Sequence, residues 1–158
     1  MKYFTDAGLT LLPGYMDTPE ARAMLYAIAL QESRFLHRKQ IQGPALGFWQ
    51  FERIGVTGVL THPVTREIAE KTCDKLRIDP GTEIYSAIRY NDGLAGAFAR
   101  LLLWQYPGRL PNIDESSLGW DQYRDLWRPG KPRLESWGAN FKKGWDLTQS
   151  EEKIHEQV

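Results

Sequence analysis

Cysteine is nearly absent. One Cys, at position 73, stands in a chain of 158 residues, so no disulfide can form within the chain and no thiolate-rich metal site can be assembled. Cys73 falls in a helical pattern beside Ala69 and Leu76, the place of a small buried apolar side chain. Histidine is scarce too: His37, His62 and His155 are far apart and show no ligand spacing. Neither a metal nor another cofactor is expected. Net charge is missing as well, since 20 Lys and Arg balance 20 Asp and Glu. That lacks the basic excess of a nucleic-acid binder, and the local cluster Arg34, His37, Arg38, Lys39 reads as a solvated loop. No run approaches the roughly 18 apolar residues of a membrane helix. The first residues, Met1 to Gly8, lack the basic start and long apolar run of a secretory signal. The expectation is a product made in the cytoplasm, without nucleic acid or membrane insertion among its partners.

What is present is ordinary globular material. The apolar fraction is 42% and the charged fraction 25%, close to a typical domain. The length suits one domain over residues 1–158, with no internal repeat. Aromatics reach 12%, with six Trp, which supports a firm core, a sugar-binding cleft, or both.

The pattern is mostly helical. Asp17-Thr18-Pro19-Glu20 supplies a cap, an early Pro and an acid at the positive end of the dipole. Apolar residues follow at Ala21, Leu25 and Ile28, which predicts a helix from about Pro19 to Ser33. From His37 to Leu60 the helical period is lost and glycines predict turns, with a short strand or extended loop over Leu46 to Phe51. A helix is expected from Pro63 to about Arg77, broken by Asp79-Pro80-Gly81. Another spans about Glu83 to Gln105, and its half from Leu94 to Trp104 is apolar on nearly every side, as in the buried centre of a domain. A short helix is expected near Trp120 to Trp127. The basic connector Arg128-Pro129-Gly130-Lys131-Pro132 then leads to a last helix over about Ser136 to Leu147, with a fraying tail over about 149–158.

Glu32 carries the chemical interest. It falls on the face of Ala21, Leu25 and Ile28, near the end of its helix. Partial burial and the negative end of the helix dipole both disfavour its carboxylate, so both raise its pKa. A carboxylic acid that stays protonated near neutral pH is what general-acid cleavage of a glycosidic bond requires. The competing reading is a Glu that caps the helix or pairs with Arg34 or Arg38.

Context favours the first reading. Ala29-Leu30-Gln31-Glu32-Ser33-Arg34-Phe35 resembles the catalytic segment of the soluble lytic transglycosylase family, where a Glu-Ser pair at a helix end carries the catalytic acid. Gly47-Phe48-Trp49-Gln50 is similar to that family's Gly-Leu-Met-Gln motif, and its Gly lies 15 residues after Glu32. Gly43-Pro44-Ala45-Leu46 resembles the approach to that motif. Tyr90-Asn91-Asp92-Gly93 is similar to the family's Tyr-Asn-Ala-Gly, with Asp in place of Ala and a shorter distance from the second motif. The resemblance covers about Met24 to Phe51, with a weaker extension to Gly93. Trp127-Arg128-Pro129-Gly130-Lys131-Pro132 also looks like a segment of virion-encoded members of this group in bacteriophages.

The resemblance implies a mainly α, lysozyme-like α+β fold with a buried central helix and a small β-hairpin or extended loop. It implies cleavage of the bond between N-acetylmuramic acid and N-acetylglucosamine, with peptidoglycan glycan strands as partner. Gly47 would let the backbone turn sharply or approach closely. Gln50, implied to lie opposite Glu32, offers donor and acceptor to the acetamido groups of amino sugars. Ser33 is read as a bond to Glu32 or substrate, or as a helix-end hydroxyl. Of Phe48 and Trp49, one is expected in the core and Trp49 is a candidate to meet sugar. Tyr90, with Asn91, is a candidate to position Glu32 or a sugar hydroxyl, against a buried helix tyrosine.

The second acid divides the chemistry. A lytic transglycosylase needs one carboxylate, which protonates the leaving oxygen and then, as base, helps the muramic acid's C6 hydroxyl attack the anomeric carbon. A hydrolase usually needs a second. Goose-type lysozymes carry an acid two residues after the Gln, where this chain has Glu52, so Glu52 is the candidate second carboxylate and Asp92 a weaker one. Against this, Glu52 could be a surface residue paired with Arg53. A non-catalytic wall-binding or virion structural protein is a third reading. The site of action is expected at the cell wall, reached within a phage particle among other virion proteins or through a holin-dependent route.

Overall fold

The computed structural model describes residues 2–79 and 84–156. They form eight α-helices: α1 (Lys2–Leu9), α2 (Pro19–Ser33), α3 (Arg53–Thr61), α4 (Arg66–Leu76), α5 (Ile84–Ala87), α6 (Asp92–Trp104), α7 (Ser116–Trp127) and α8 (Leu134–Glu156), with a 3-10 turn at Gly14–Met16 before α2. The chain is mainly α. Among the described residues no helix is long and apolar enough to cross a membrane.

Two interior helices carry the core. α2 starts where the sequence signals it: the Thr18 side chain accepts from the Ala21 amide at 3.2 Å, and Pro19 takes the first helical position. Residues 23–29 of α2 are all buried, together with Ala21, Gln31 and Ser33. The single stripe expected for it is therefore too narrow. α6 is the buried central helix expected from its apolar sequence, with every residue from 94 to 103 inside. Each large apolar side chain so buried contributes about 1.5–3 kcal/mol.

α1 packs on α6, and α8 lies along α2. The approach of α8 is close. A Cβ at Gly144 would stand 2.3 Å from the Ala23 carbonyl oxygen, so only glycine lets the two backbones meet there. Trp137 and Phe141 of α8 are buried against α7, where they meet Trp120, Tyr123 and Gly119. α8 also runs past the frayed tail expected after residue 148. Glu151 is the reason: it is buried, accepts from the Tyr26 hydroxyl at 2.5 Å and pairs with Arg22 at 3.3 Å. Arg22 in turn holds Asp6 at 2.6 Å and Asp17 at 2.7 Å, joining α1, α2 and α8.

Other expectations need correction. α3 occupies part of the segment read as turns. Its Gly55 and Gly58 each disfavour a helix by about 1 kcal/mol, but burial of Val56 and Val59 outweighs them. The long third helix is two, α5 and α6, parted at Ile88–Asn91, and the expected start and preceding break at residues 80–83 lie outside the described residues. Leu46 to Phe51 is not a strand, and no β-hairpin forms among the described residues. Two isolated bridges, Lys39 with Leu46 and Leu46 with Phe51, are the pairing found among the described residues. The physical reason is local. Gly47 and Gln50 take left-handed backbone, at φ 75° and 51°, which interrupts any extended run.

Candidate active site

Glu32 sits in the last turn of α2, one residue before its end at Ser33. The helix stops because Arg34 and Phe35 both turn left-handed, at φ 54° and 55°. The chain then runs out through residues 36–46 and returns as the turn 47–50. Ser33 ties the two together: its buried hydroxyl lies 2.7 Å from the Phe48 carbonyl and accepts from the Phe35 amide at 3.2 Å. The turn closes where the Leu46 and Phe51 amides donate to each other's carbonyls at 2.9 and 2.8 Å. Gly47 meets both demands expected of it. Its φ is 75°, and a Cβ there would lie 2.8 Å from the Ile88 side chain.

The Glu32 carboxyl is half-buried, and its partner comes from far along the chain. The Tyr123 hydroxyl donates to Glu32 Oε1 at 2.5 Å. Tyr123 is itself buried, stacked on Trp137 at 5.1 Å with the rings 8° from parallel. Burial raises the Glu32 pKa above the ordinary carboxylate range, the Tyr123 hydrogen bond and the charge of Arg133 pull it back, and the negative charge of Glu52 adds to the rise. Burial, then the neighbouring charge of Glu32, raises the Tyr123 phenol above its usual value. Tyr123 is therefore a hydrogen-bond donor at any working pH.

Arg133 is held in place by Gln31. Its guanidinium donates to the Gln31 carbonyl at 2.6 Å, while the Gln31 amide donates to the Arg133 carbonyl at 2.9 Å. Ser136 and Asn140 donate to Gln31 Oε1 at 3.1 and 2.7 Å. The end of α2 and the start of α8 are thus locked, with Arg133 close enough to act on Glu32. Trp127 closes another side: its indole N–H donates to the Trp49 carbonyl at 2.8 Å, and its half-buried ring lies 6.1 Å from Phe51 and 6.3 Å from Tyr123.

The structure distributes the expected site residues unevenly. Glu32 pairs with neither Arg34 nor Arg38. Glu52 stands exposed at the start of α3, neither capping that helix through its side chain nor pairing with Arg53. It is close enough for its charge to act on Glu32. Gln50 is half-buried, and its amide nitrogen donates to the Gly47 carbonyl at 2.8 Å. Trp49 is not a sugar-facing residue. It is fully buried, with its indole N–H on the Leu25 carbonyl at 2.9 Å, and Phe48 is buried beside it, so both went to the core. Ser33 is likewise inside, spent on the Phe48 carbonyl rather than on substrate. Tyr90 is not a buried helix tyrosine: it is 76% exposed, with Arg89 over its ring. Asn91 caps α6, its side chain accepting from the Leu94 amide at 2.9 Å. Asp92, the weaker candidate for a second acid, is ion-paired: Arg38 donates to both its oxygens at 3.0 and 2.7 Å.

Tyr123, Arg133 and Gln31 are the residues that sequence reasoning missed. Tyr123 lies 91 positions from Glu32, and no local signal links the two. The available hint was the aromatic spacing of Trp120, Tyr123 and Trp127 on one face of α7. No protein-family model, no curated protein and no solved structure matches the chain.

Proposed function

We propose that the chain cleaves the glycosidic bond between N-acetylmuramic acid and N-acetylglucosamine in peptidoglycan, with Glu32 as general acid and then base, in the manner of a lytic transglycosylase within a lysozyme-like fold. The observation that carries the reading is Glu32 itself: a half-buried carboxyl, with its pKa raised chiefly by burial, fixed through one oxygen by Tyr123. A binding module has no need of a desolvated acid.

The geometry suggests how the proton is handled. Tyr123 occupies Oε1, so Oε2 carries the proton to the leaving glycosidic oxygen. As the bond from the anomeric carbon breaks, Glu32 becomes a carboxylate, and Tyr123 and Arg133 stabilise the charge. That carboxylate then takes the proton from the muramic acid's C6 hydroxyl as its oxygen bonds to the anomeric carbon. An anhydro sugar forms, Glu32 is protonated again, and no water is consumed. Gln50, its amide nitrogen turned inward, keeps Oε1 for an acetamido N–H. The half-buried ring of Trp127, 6.3 Å from that of Tyr123, offers an aromatic surface to a sugar.

Hydrolysis is the second reading, and the exposed Glu52 favours it, since its charge reaches Glu32. Mass spectrometry of the products from purified walls separates the two. Anhydro ends, unchanged in Glu52→Gln, support transglycosylation. Reducing ends that vanish in Glu52→Gln mean a lysozyme. The proposal places the activity at the cell wall, and the resemblance of Trp127 to Pro132 to phage virion members favours delivery with a phage particle and its other proteins.

A further inference from the structure

A buried cation lies far from Glu32 and is left largely uncompensated. Arg100 sits inside α6 and is 2% exposed. Its Nε donates to the Met16 carbonyl at 2.7 Å, and its guanidinium carbon lies 4.9 Å from the centre of the Trp104 ring. Its Nη1 has no hydrogen-bond partner. Among the described residues, the other buried side-chain atoms without a partner belong to Thr5, Gln122 and Trp145, all uncharged. The acid that acts on Arg100 is Asp17, but both Asp17 oxygens are held by Arg22, at 2.7 and 2.8 Å. Removing a guanidinium from water without a paired anion is costly. Arg100 is also the one charged residue buried in a helix that is otherwise apolar over residues 94–103.

Arg100 lines a cavity of about 380 Å³, together with Tyr15, Trp104 and Arg109. That size falls in the range of small-molecule sites. Thr18, the cap of α2, also borders it. Glu32 is fourteen residues further along that helix, about 21 Å at 1.5 Å per residue, so the cavity is separate from the candidate active site.

We infer that this cavity is a second ligand site, which takes a small monocarboxylate carried on a flat apolar body. Among the described residues, Arg100 is the one cation of the wall left without an ion pair, so a ligand with more than one negative charge is disfavoured. Arg109 is already committed to Glu115 through two short bonds, and Glu20 on the cavity wall repels a dianion. With Nε bonded to the Met16 carbonyl and Nη1 enclosed, Arg100 meets a carboxylate through its remaining guanidinium edge and its positive charge. Tyr15 and Trp104, with ring centres 5.7 Å apart and both partly exposed, supply a wall for a flat body. The inference does not rest on the Glu32 reading.

Benzoate is the probe, with benzamide as its neutral twin and inorganic phosphate as an anion without an apolar body. Titration of the full chain is followed by NMR at the Trp104 indole N–H and the Arg100 Nε–H. Benzoate should give saturable shifts at both, at concentrations on the order of 10 mM or below, and benzamide should bind at least about tenfold more weakly. Arg100→Met should lose benzoate binding by a similar factor while its Tm holds or rises, because an apolar replacement of a buried ion is often neutral or stabilising. Should Arg100→Met not fold, Trp104→Leu, at a partly exposed position, must weaken benzoate binding. No saturable shift, equal binding of benzamide, or phosphate binding as tightly as benzoate would each overturn the assignment.

Discussion

Removing one oxygen atom, in Tyr123→Phe, probes the proton chemistry at Glu32 with little disturbance elsewhere. The ring stays stacked on Trp137 at 5.1 Å, so packing is kept and only the 2.5 Å hydrogen bond to Glu32 Oε1 is lost. A hydrogen bond to a charged acceptor is worth about 1.5–3 kcal/mol, which corresponds to about 10- to 100-fold in the ionisation equilibrium of Glu32. The bond stabilises the carboxylate, so its loss favours the protonated acid and moves the Glu32 titration to higher pH. Carboxyl-carbon NMR of Glu32 reads this directly, without an activity assay. On wall substrate, the alkaline limb of the pH profile should move upward, and kcat should fall because the carboxylate formed in the first step has lost a stabilising donor. If the Glu32 titration in Tyr123→Phe coincides with that of the parent chain, the hydrogen bond does not set the acid's behaviour and the mechanistic account fails.

Three further outcomes follow from the same structure. Burial raises the Glu32 pKa, so the folded chain binds that proton more tightly than the unfolded one, and the resulting stability is lost as pH rises through the folded value. Glu32→Gln should therefore melt higher than the parent near pH 7, with the gap closing at about pH 4, below the ordinary carboxyl value; a gap independent of pH would refute this. Gly47→Ala should cost about 1–2 kcal/mol for the left-handed backbone and a further ~1–3 kcal/mol for crowding Ile88, read as a fall in denaturant midpoint. Glu151→Ala leaves the Tyr26 hydroxyl without its buried acceptor, at a cost of about 1–3 kcal/mol, or several degrees of Tm, whereas a frayed tail would show no change.

Legibility in the sequence followed the range of the interactions. α2 was readable because its cap, its Pro and its apolar period are all local, and α6 because no solvent-tolerant face interrupts Leu94 to Leu103. α3 was hidden because Gly55 and Gly58 speak against a helix and only tertiary burial of Val56 and Val59 speaks for it. The end of α8 was hidden for the same reason, since Glu151 reads as a tail charge until Tyr26 and Arg22 are brought to it. At the site, Glu32 and Gly47 could be singled out from short segments. Ser33 and Trp49 belonged to the same segments but serve to hold the loop, because a turn this tight must bury its own side chains to stay closed. Tyr123 and Arg133 come from α7 and the start of α8, and only folding brings them to Glu32.

The central claim is that Glu32 is the acid that breaks the glycosidic bond. Purified peptidoglycan incubated with the parent chain and with Glu32→Gln, followed by mass spectrometry of the soluble products, tests it most directly. The account predicts muropeptides with anhydro ends from the parent and none from Glu32→Gln, whose fold is kept or strengthened. Equal release by the two chains, or no release by the parent, would contradict it.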